Sequence, residues 1–448
     1  MIGLAMRPAM MAMRGALLGV SLLAAGCEGA FFGEPEEPKL AGERLPVLGL
    51  RQALVPHPGI AKLEVRLPPP SANASWPQAG GLPDHAMHHL AASGTLDERW
   101  SVDIGRGSDD EGQLLAQPVV AGQWIYTLDV DAEVRVYDLE DGSLSWTRAL
   151  DSETEDTGTL GGGLAVGEGR LYVTTGFAQV FALEAATGRE LWRRKLSSPL
   201  RAAPTSRDGR VFVITLSNEL FALDAATGRV LWSHAEIAEP AGLVGAAAPA
   251  VAGDIVVAAF SSGEIVALRA ANGRVLWSDR LTALRRTDPV SSLAHIRGLP
   301  VIDRGLVVAV SNSGRTMAID LRTGSRVWEQ QIGGTHTPWV AGDFVFLVSG
   351  DSHVVCLSRR DGRVRWVRAL PQFEDEEDRI GPIYWAGPLL VGDRLLIAAS
   401  TGEVWSVSPY TGEPLGRIEA PDAIFVAPAV ARETVFLLTE GADLIALQ

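Results

Sequence analysis

Few side chains in this sequence are placed to do chemistry, and the clearest lies near the N-terminus. Cys27 follows Leu23-Ala24-Ala25-Gly26. Small residues before a cysteine, at the end of an apolar run, match the bacterial lipobox, whose cysteine is acylated and becomes the mature N-terminus. The apolar stretch 16–25 follows Arg7 and Arg14, the layout of a secretory signal. It is too short to span a bilayer, which takes ~20 apolar residues. Residue 28 is Glu rather than Asp, which by enteric sorting rules gives no strong inner-membrane retention. Several acyl chains on one cysteine anchor stably, each buried CH₂ contributing ~0.8 kcal/mol. Residues 1–26 are therefore expected to be a signal peptide and Cys27 a lipidation site.

The other reactive residues point away from catalysis. Cys356, in Val354-Val355-Cys356-Leu357, occupies a strand core position and reads as an inert buried thiol. Two cysteines cannot make a disulfide framework or a four-cysteine zinc site. His85, His88 and His89 lie close in sequence, but no cysteine or carboxylate cluster flanks them at ligand spacing. They read as part of a solvated linker. The eight histidines form no H-E-x-x-H pair, and no G-x-S-x-G elbow marks a nucleophile. Gly161-Gly162-Gly163 precedes a strand rather than a helix, which suits a tight connection better than a phosphate cradle. A formal net charge of −15 excludes wrapping nucleic acid, which needs a basic footprint. No catalytic residues, metal or cofactor are expected.

The elements that carry these residues follow from a repeat. The chain has 448 residues, 47% of them apolar, with 48 glycines, a globular composition rich in turns. Residues 28–94 differ from the rest. They hold ten of the 26 prolines, including Pro68-Pro69-Pro70, and no hydrophobic periodicity. The expectation for 27–94 is an extended tether from Cys27 that would span roughly 45 Å as a coil.

From residue 95 onward one pattern recurs. A representative copy runs through Ala203-Pro204-Thr205, Arg210–Thr215, Leu220–Asp224 and Val230-Leu231-Trp232: four short apolar strands separated by turns. The last opens on a glycine four residues before a tryptophan. The pairs are Gly142/Trp146, Gly188/Trp192, Gly228/Trp232, Gly273/Trp277, Gly324/Trp328 and Gly362/Trp366; in the next copy Gly412 is followed by Gly416. Such turns suit tight hairpins, because glycine accepts φ > 0. The first strand carries proline in seven of eight copies: Pro118, Pro204, Pro249, Pro300, Pro338, Pro388 and Pro428, with Leu164 the exception. Proline lacks an N–H and belongs at a strand start or sheet edge. A period of about 45 residues in four strands predicts an all-β fold, a β-propeller. Trp100 reads as a fourth strand without its first three, and residues 428–447 as three strands without a fourth. Residues 95–448 are therefore expected to form eight four-stranded blades, with the N-terminal strand completing the C-terminal blade. The tryptophans are expected to pack between neighbouring blades.

The strand pattern with A-x-x-G-x-x-x-W turns resembles the quinoprotein-type propeller repeat. Combined with a lipobox, a tether and eight blades, it resembles the BamB family of lipoproteins in the outer-membrane β-barrel assembly machinery. The segments 297–302 and 337–343 look like the alphaproteobacterial form. The resemblance implies a non-catalytic scaffold on the periplasmic face of the outer membrane, anchored by its lipid. Its partners would be the periplasmic POTRA domain of BamA, other BAM subunits and unfolded outer-membrane proteins. The resemblance puts the contact on two loops. In Ala241-Gly242-Leu243-Val244-Gly245 the family leucine is kept at Leu243, while Val244 stands at an arginine position. In Leu293-Ala294-His295-Ile296-Arg297 the enteric pattern has two aspartates where this chain has His295 and Arg297, which inverts the local charge. The implied partner-binding residues are Leu243, Val244, His295, Ile296 and Arg297.

Two alternatives remain on the same fold: a periplasmic ligand-binding or sensor propeller with a ligand in its central funnel, and a quinone-cofactor dehydrogenase. Such dehydrogenases typically carry adjacent cysteines, and none occur here. Two acidic loops, Asp109-Asp110-Glu111 and 374–378, read as solvated faces or as a surface steering a basic partner.

Overall fold

The second strands of the copies are largely apolar and buried; in Ile255–Ala259 and Phe344–Val348 every residue is apolar, and all but Ile255 are buried. Only a sheet covered on both faces holds such a strand. The fourth strands, such as Glu190–Lys195, alternate between exposed and half-buried residues and form the outer rim. The computed structural model describes residues 54–151, 161–239, 242–281 and 293–448. Among these residues there is no helix. They form eight four-stranded antiparallel sheets and one two-stranded hairpin.

The sheets are the blades of an eight-bladed propeller. Blades 1 to 7 span 119–149, 162–195, 205–235, 250–280, 301–330, 339–369 and 385–419. Blade 8 combines three C-terminal strands within 429–447 with Glu98–Asp103 as its outermost strand. Trp100 pairs with Ala446, Val102 with Leu444 and Asp103 with Asp443. The chain ends are thus joined as the sequence predicts.

Each rim tryptophan reaches from its own blade to the turn of the next. A Cβ added at Gly228, whose φ is +67°, would stand 2.5 Å from Trp192 of the preceding blade. The indole Nε1 of Trp192 donates to Ala225 O at 3.1 Å. Trp232, Trp277, Trp328 and Trp366 make the equivalent bonds to Ala270, Leu321, Arg359 and Pro409. Within its own blade Trp192 packs on Tyr172, with ring centroids 6.0 Å apart. Each of these five indoles therefore contributes packing to two blades and one hydrogen bond across the seam, whereas Trp146 packs on the turn at Gly188 with its Nε1 unpartnered.

Residues 54–94 depart from the expected tether. They belong to the same compact unit as the propeller. Residues 57–68 lie on blade 6, where His57 N donates to Val364 O at 2.8 Å. Residues 73–90 then pass around the inside of the ring. Asn73 Nδ2 donates to Val430 O of blade 8 at 2.6 Å. Trp76 exchanges backbone bonds with Val120 of blade 1, and Pro77 O accepts from Val166 N of blade 2. Gln78 Oε1 accepts from Ser206 N of blade 3. Pro83 O and Asp84 O accept from Val251 N and Ile302 N of blades 4 and 5. His88 O accepts from Trp339 Nε1 of blade 6, and Leu90 bonds with Leu390 and Gly392 of blade 7. This inner belt touches all eight blades in ring order.

The physical reason is the open edge of each innermost strand, whose N–H and C=O groups need partners once buried. Proline lacks a donor but keeps its carbonyl, and these edges call mainly for acceptors. The histidines of this region are not a solvated linker. His85 is 4% and His89 is 1% exposed. Their Nδ1 atoms bond to Pro300 O at 2.8 Å and Pro68 O at 2.7 Å, whereas His88 Nε2 faces Asp303 at 3.7 Å.

Candidate functional site

The innermost strands leave an axial cavity of about 150 Å³ on the side where the chain approaches them. Trp76, Ala79, Gly80 and His85 of the belt contribute to its lining. The walls are mostly residues just before the first strands, including Leu114, Leu115, Arg201, Ala246, Arg297, His336 and Phe425, with Leu389 from within the first strand of blade 7. One register position recurs, three residues before the first-strand proline. It holds Leu115, Arg201, Ala246, Arg297, Thr335 and Phe425 in blades 1, 3, 4, 5, 6 and 8. Two cations therefore stand in an otherwise uncharged circle.

The two loops singled out by sequence border this mouth and are tied together. Leu243 N donates to His295 Nδ1 at 2.8 Å. A backbone N–H can only donate, so Nδ1 accepts and the ring proton sits on Nε2. The imidazole is held neutral. Its pKa is pushed down to about 4, first by burial and then by the charges of Arg297 and Arg201. A Cβ at Gly245 would lie 3.0 Å from Arg297 Nε, so the Arg297 side chain runs under the neighbouring loop.

The five candidate partner-binding residues divide by burial. Val244 is 37% exposed, and Leu243 and Arg297 are half-buried. His295 is 3% exposed and Ile296 is fully buried, in a cluster with Val257, Ile302 and Met317. Those two are corrected from surface residues to interior ones. Alternation explains the difference: Ile296 turns into the seam between blades 4 and 5, which places Arg297 toward the axis. Cys27 and Ala241 lie outside the described residues.

Other sequence candidates resolve simply. Cys356 is buried, and burial raises its thiol pKa well above the ordinary value. A Cβ at Gly163 would stand 2.5 Å from Ala203 of the next blade, which fits a tight blade connection. Asp109 is not in a self-repelling patch: it pairs with Arg106 at 2.5 Å and accepts from Glu111 N and Gly112 N. The acidic run 374–378 lies on the exposed hairpin of Phe373–Asp375 and Ile380–Pro382. Sequence reading missed Arg201 and His336. Aligning the copies on their first-strand prolines would have placed Arg201 beside Arg297.

Comparison with known proteins places this geometry in a family. A family model described as "Outer membrane protein assembly factor BamB" matches residues 132–368. The assembly factor BamB of Salmonella typhimurium is 30% identical over 300 residues, covering 66% of this chain and 75% of that protein. The chain belongs to the BamB family. The BamB crystal structure from Moraxella catarrhalis superposes with a TM-score of 0.65 at 20% identity, covering 79% of this chain and all of that one. A europium-containing methanol dehydrogenase superposes with a TM-score of 0.64 at 14% identity, covering 81% of this chain and 89% of that one. At such identities the likeness is one of fold, and the ring that BamB uses is also a scaffold for enzymes.

Proposed function

We propose that this BamB-family chain is a non-catalytic accessory lipoprotein of the outer-membrane β-barrel assembly complex. In this reading acylated Cys27 holds it at the periplasmic face of the outer membrane. The loops carrying Leu243, Val244 and Arg297 dock the periplasmic POTRA region of BamA. Docking limits the orientations of that arm and assists folding and insertion of outer-membrane proteins.

The observation that carries the reading is family membership over the central blades. The Leu243–His295 bond supports the choice of loops, because it makes one rigid patch of two segments about fifty residues apart. Val244 offers an apolar contact and Arg297 a cation where the enteric pattern has acid. A docking partner for this chain therefore presents an apolar group beside a carboxylate.

The test is gentle detergent extraction of the native lipidated protein, followed by mass spectrometry of what co-purifies. Near-stoichiometric recovery of BamA and companion lipoproteins is expected. Recovery of the propeller alone would sink the assembly role as a stable complex.

A further inference from the structure

We propose that the axial cavity is a binding site for a small monocarboxylate with a compact apolar body, its acid group held between Arg201 and Arg297. Arg297 is shared with the proposed docking patch, so a cavity ligand and a partner carboxylate would compete for it; ligand binding by the free chain is tested apart from docking.

Two features of the cavity select this chemistry. The first is uncompensated charge. Among the described residues neither Arg201 nor Arg297 has a carboxylate partner, although the chain carries 54 acidic residues against 39 basic ones. Arg201 Nε is buried without a hydrogen-bond partner. Two of the more deeply buried arginines elsewhere are paired: Arg359 lies 3.0 Å from Asp303, and Arg315 2.6 Å from Glu329. Two imidazoles, His295 and His336, feel the charge of these arginines. Burial and the arginine charge push their pKa values down to about 4 and about 3, so they are neutral near pH 7. His85, on the floor, is likewise pushed down to about 4 by burial. An enclosed cation without a counter-ion is unfavourable, and an anion entering the site relieves that cost. Planar guanidinia match the geometry of a carboxylate in particular.

The second feature is the facing wall. Leu114, Leu389, Phe425 and Val426 line it, from blades 1, 7 and 8, whereas the arginines come from blades 3 and 5. A ligand that fills the cavity meets cations at one end and hydrocarbon at the other. A cavity of ~150 Å³ accepts a molecule about the size of benzene. His85 Nε2 is buried and without a partner. With Nδ1–H donated to Pro300 O, it is a free acceptor at the floor, suited to a hydroxyl on the apolar body.

Calorimetry with the full mature chain and benzoate tests the site, with benzyl alcohol as the uncharged match and sulfate as the anion without an apolar body. The expected result is one benzoate per chain, binding about tenfold tighter than either control. Arg201→Gln and Arg297→Gln should each weaken it about tenfold. A second measurement needs no variant: benzoate should protect Arg201 and Arg297 from phenylglyoxal, read by mass spectrometry. Absence of benzoate binding, equal binding of sulfate, or unchanged binding in the double variant overturns the proposal, as does unprotected labelling at saturating benzoate.

Discussion

The backbone N–H of Leu243 and Nδ1 of His295, 2.8 Å apart, join two loops that lead into different blades. The bond exists only while Nδ1 is unprotonated. His295 has a folded pKa near 4, below the ordinary value of 6.5. A lowered histidine pKa gives stability that is present above the unfolded value and lost as pH falls through the window between the two. The melting temperature should therefore drop between about pH 6.5 and pH 4, with His85 and His336 contributing in the same direction. At ~1.36 kcal/mol per pKa unit the upper bound is about 3 kcal/mol for His295 and His85 and about 5 kcal/mol for His336. His295→Asn keeps an acceptor and removes one titration, so its profile should be flatter. An unchanged slope would count against the assignment.

The loop patch makes a separable prediction. Val244→Asp alters an exposed side chain and should leave melting unchanged while weakening capture of BamA by roughly tenfold, about 1.4 kcal/mol. Ile296→Ala should do the reverse, costing about 2–4 kcal/mol of stability with intact capture by whatever remains folded. Unaltered capture by Leu243→Asp combined with Arg297→Glu would move the site elsewhere.

The blade seams can be tested with two alanines. Gly228→Ala places a methyl 2.5 Å from Trp192 at φ +67°, and should cost about 2–5 kcal/mol through strain and overpacking. Gly209→Ala shares the positive φ, +70°, but meets open space. It should cost only about 1–2 kcal/mol. Chemical denaturation of the pair measures the difference, which is the contribution of the indole. Equal losses would mean that the tryptophan adapts.

The inner belt predicts a pattern in hydrogen exchange. Trp76 is 1% exposed, and Trp76→Ala should cost about 3–5 kcal/mol. The amides of Val166, Val251 and Ile302, which donate to the belt, should speed up together although they lie in three blades. Faster exchange at Val120 alone would contradict a continuous belt.

Ring closure also gives a measurable outcome. Deleting residues 95–103 removes the strand paired with Asp443–Leu447, so the whole fold should lose stability. A deletion variant with an unchanged melting temperature contradicts closure.

The blades were readable because the repeat writes its turn and its rim into every copy. Even the missing tryptophan has a meaning that the structure supplies. Gly416 stands where blade 7 would present an indole to a turn of blade 8. That blade joins its last two strands across the chain ends, so no turn glycine is there to receive one. The belt was not readable. Its bonds fall about once per blade, at irregular spacing in 73–90, and neither a period of two nor of 3.6 detects that. Proline richness suggested an unstructured tether because the missing donors count against secondary structure, whereas here the carbonyls are what is used. Arg201 was passed over because a single arginine in a loop carries no signal; its register in the repeat does.

The belt also sets an order in time. Asn73 bonds to Val430, 357 positions later in the chain. The segment that precedes blade 1 cannot complete its docking until the last blade has emerged and folded. Until then the inner edges of the early blades lack their acceptors. Asn73, made before the first blade, is thus seated only when the last blade has formed. A nascent chain cut short at any blade is left with an unfinished circle and exposed strand edges, the kind of species that quality-control proteases and chaperones recognise.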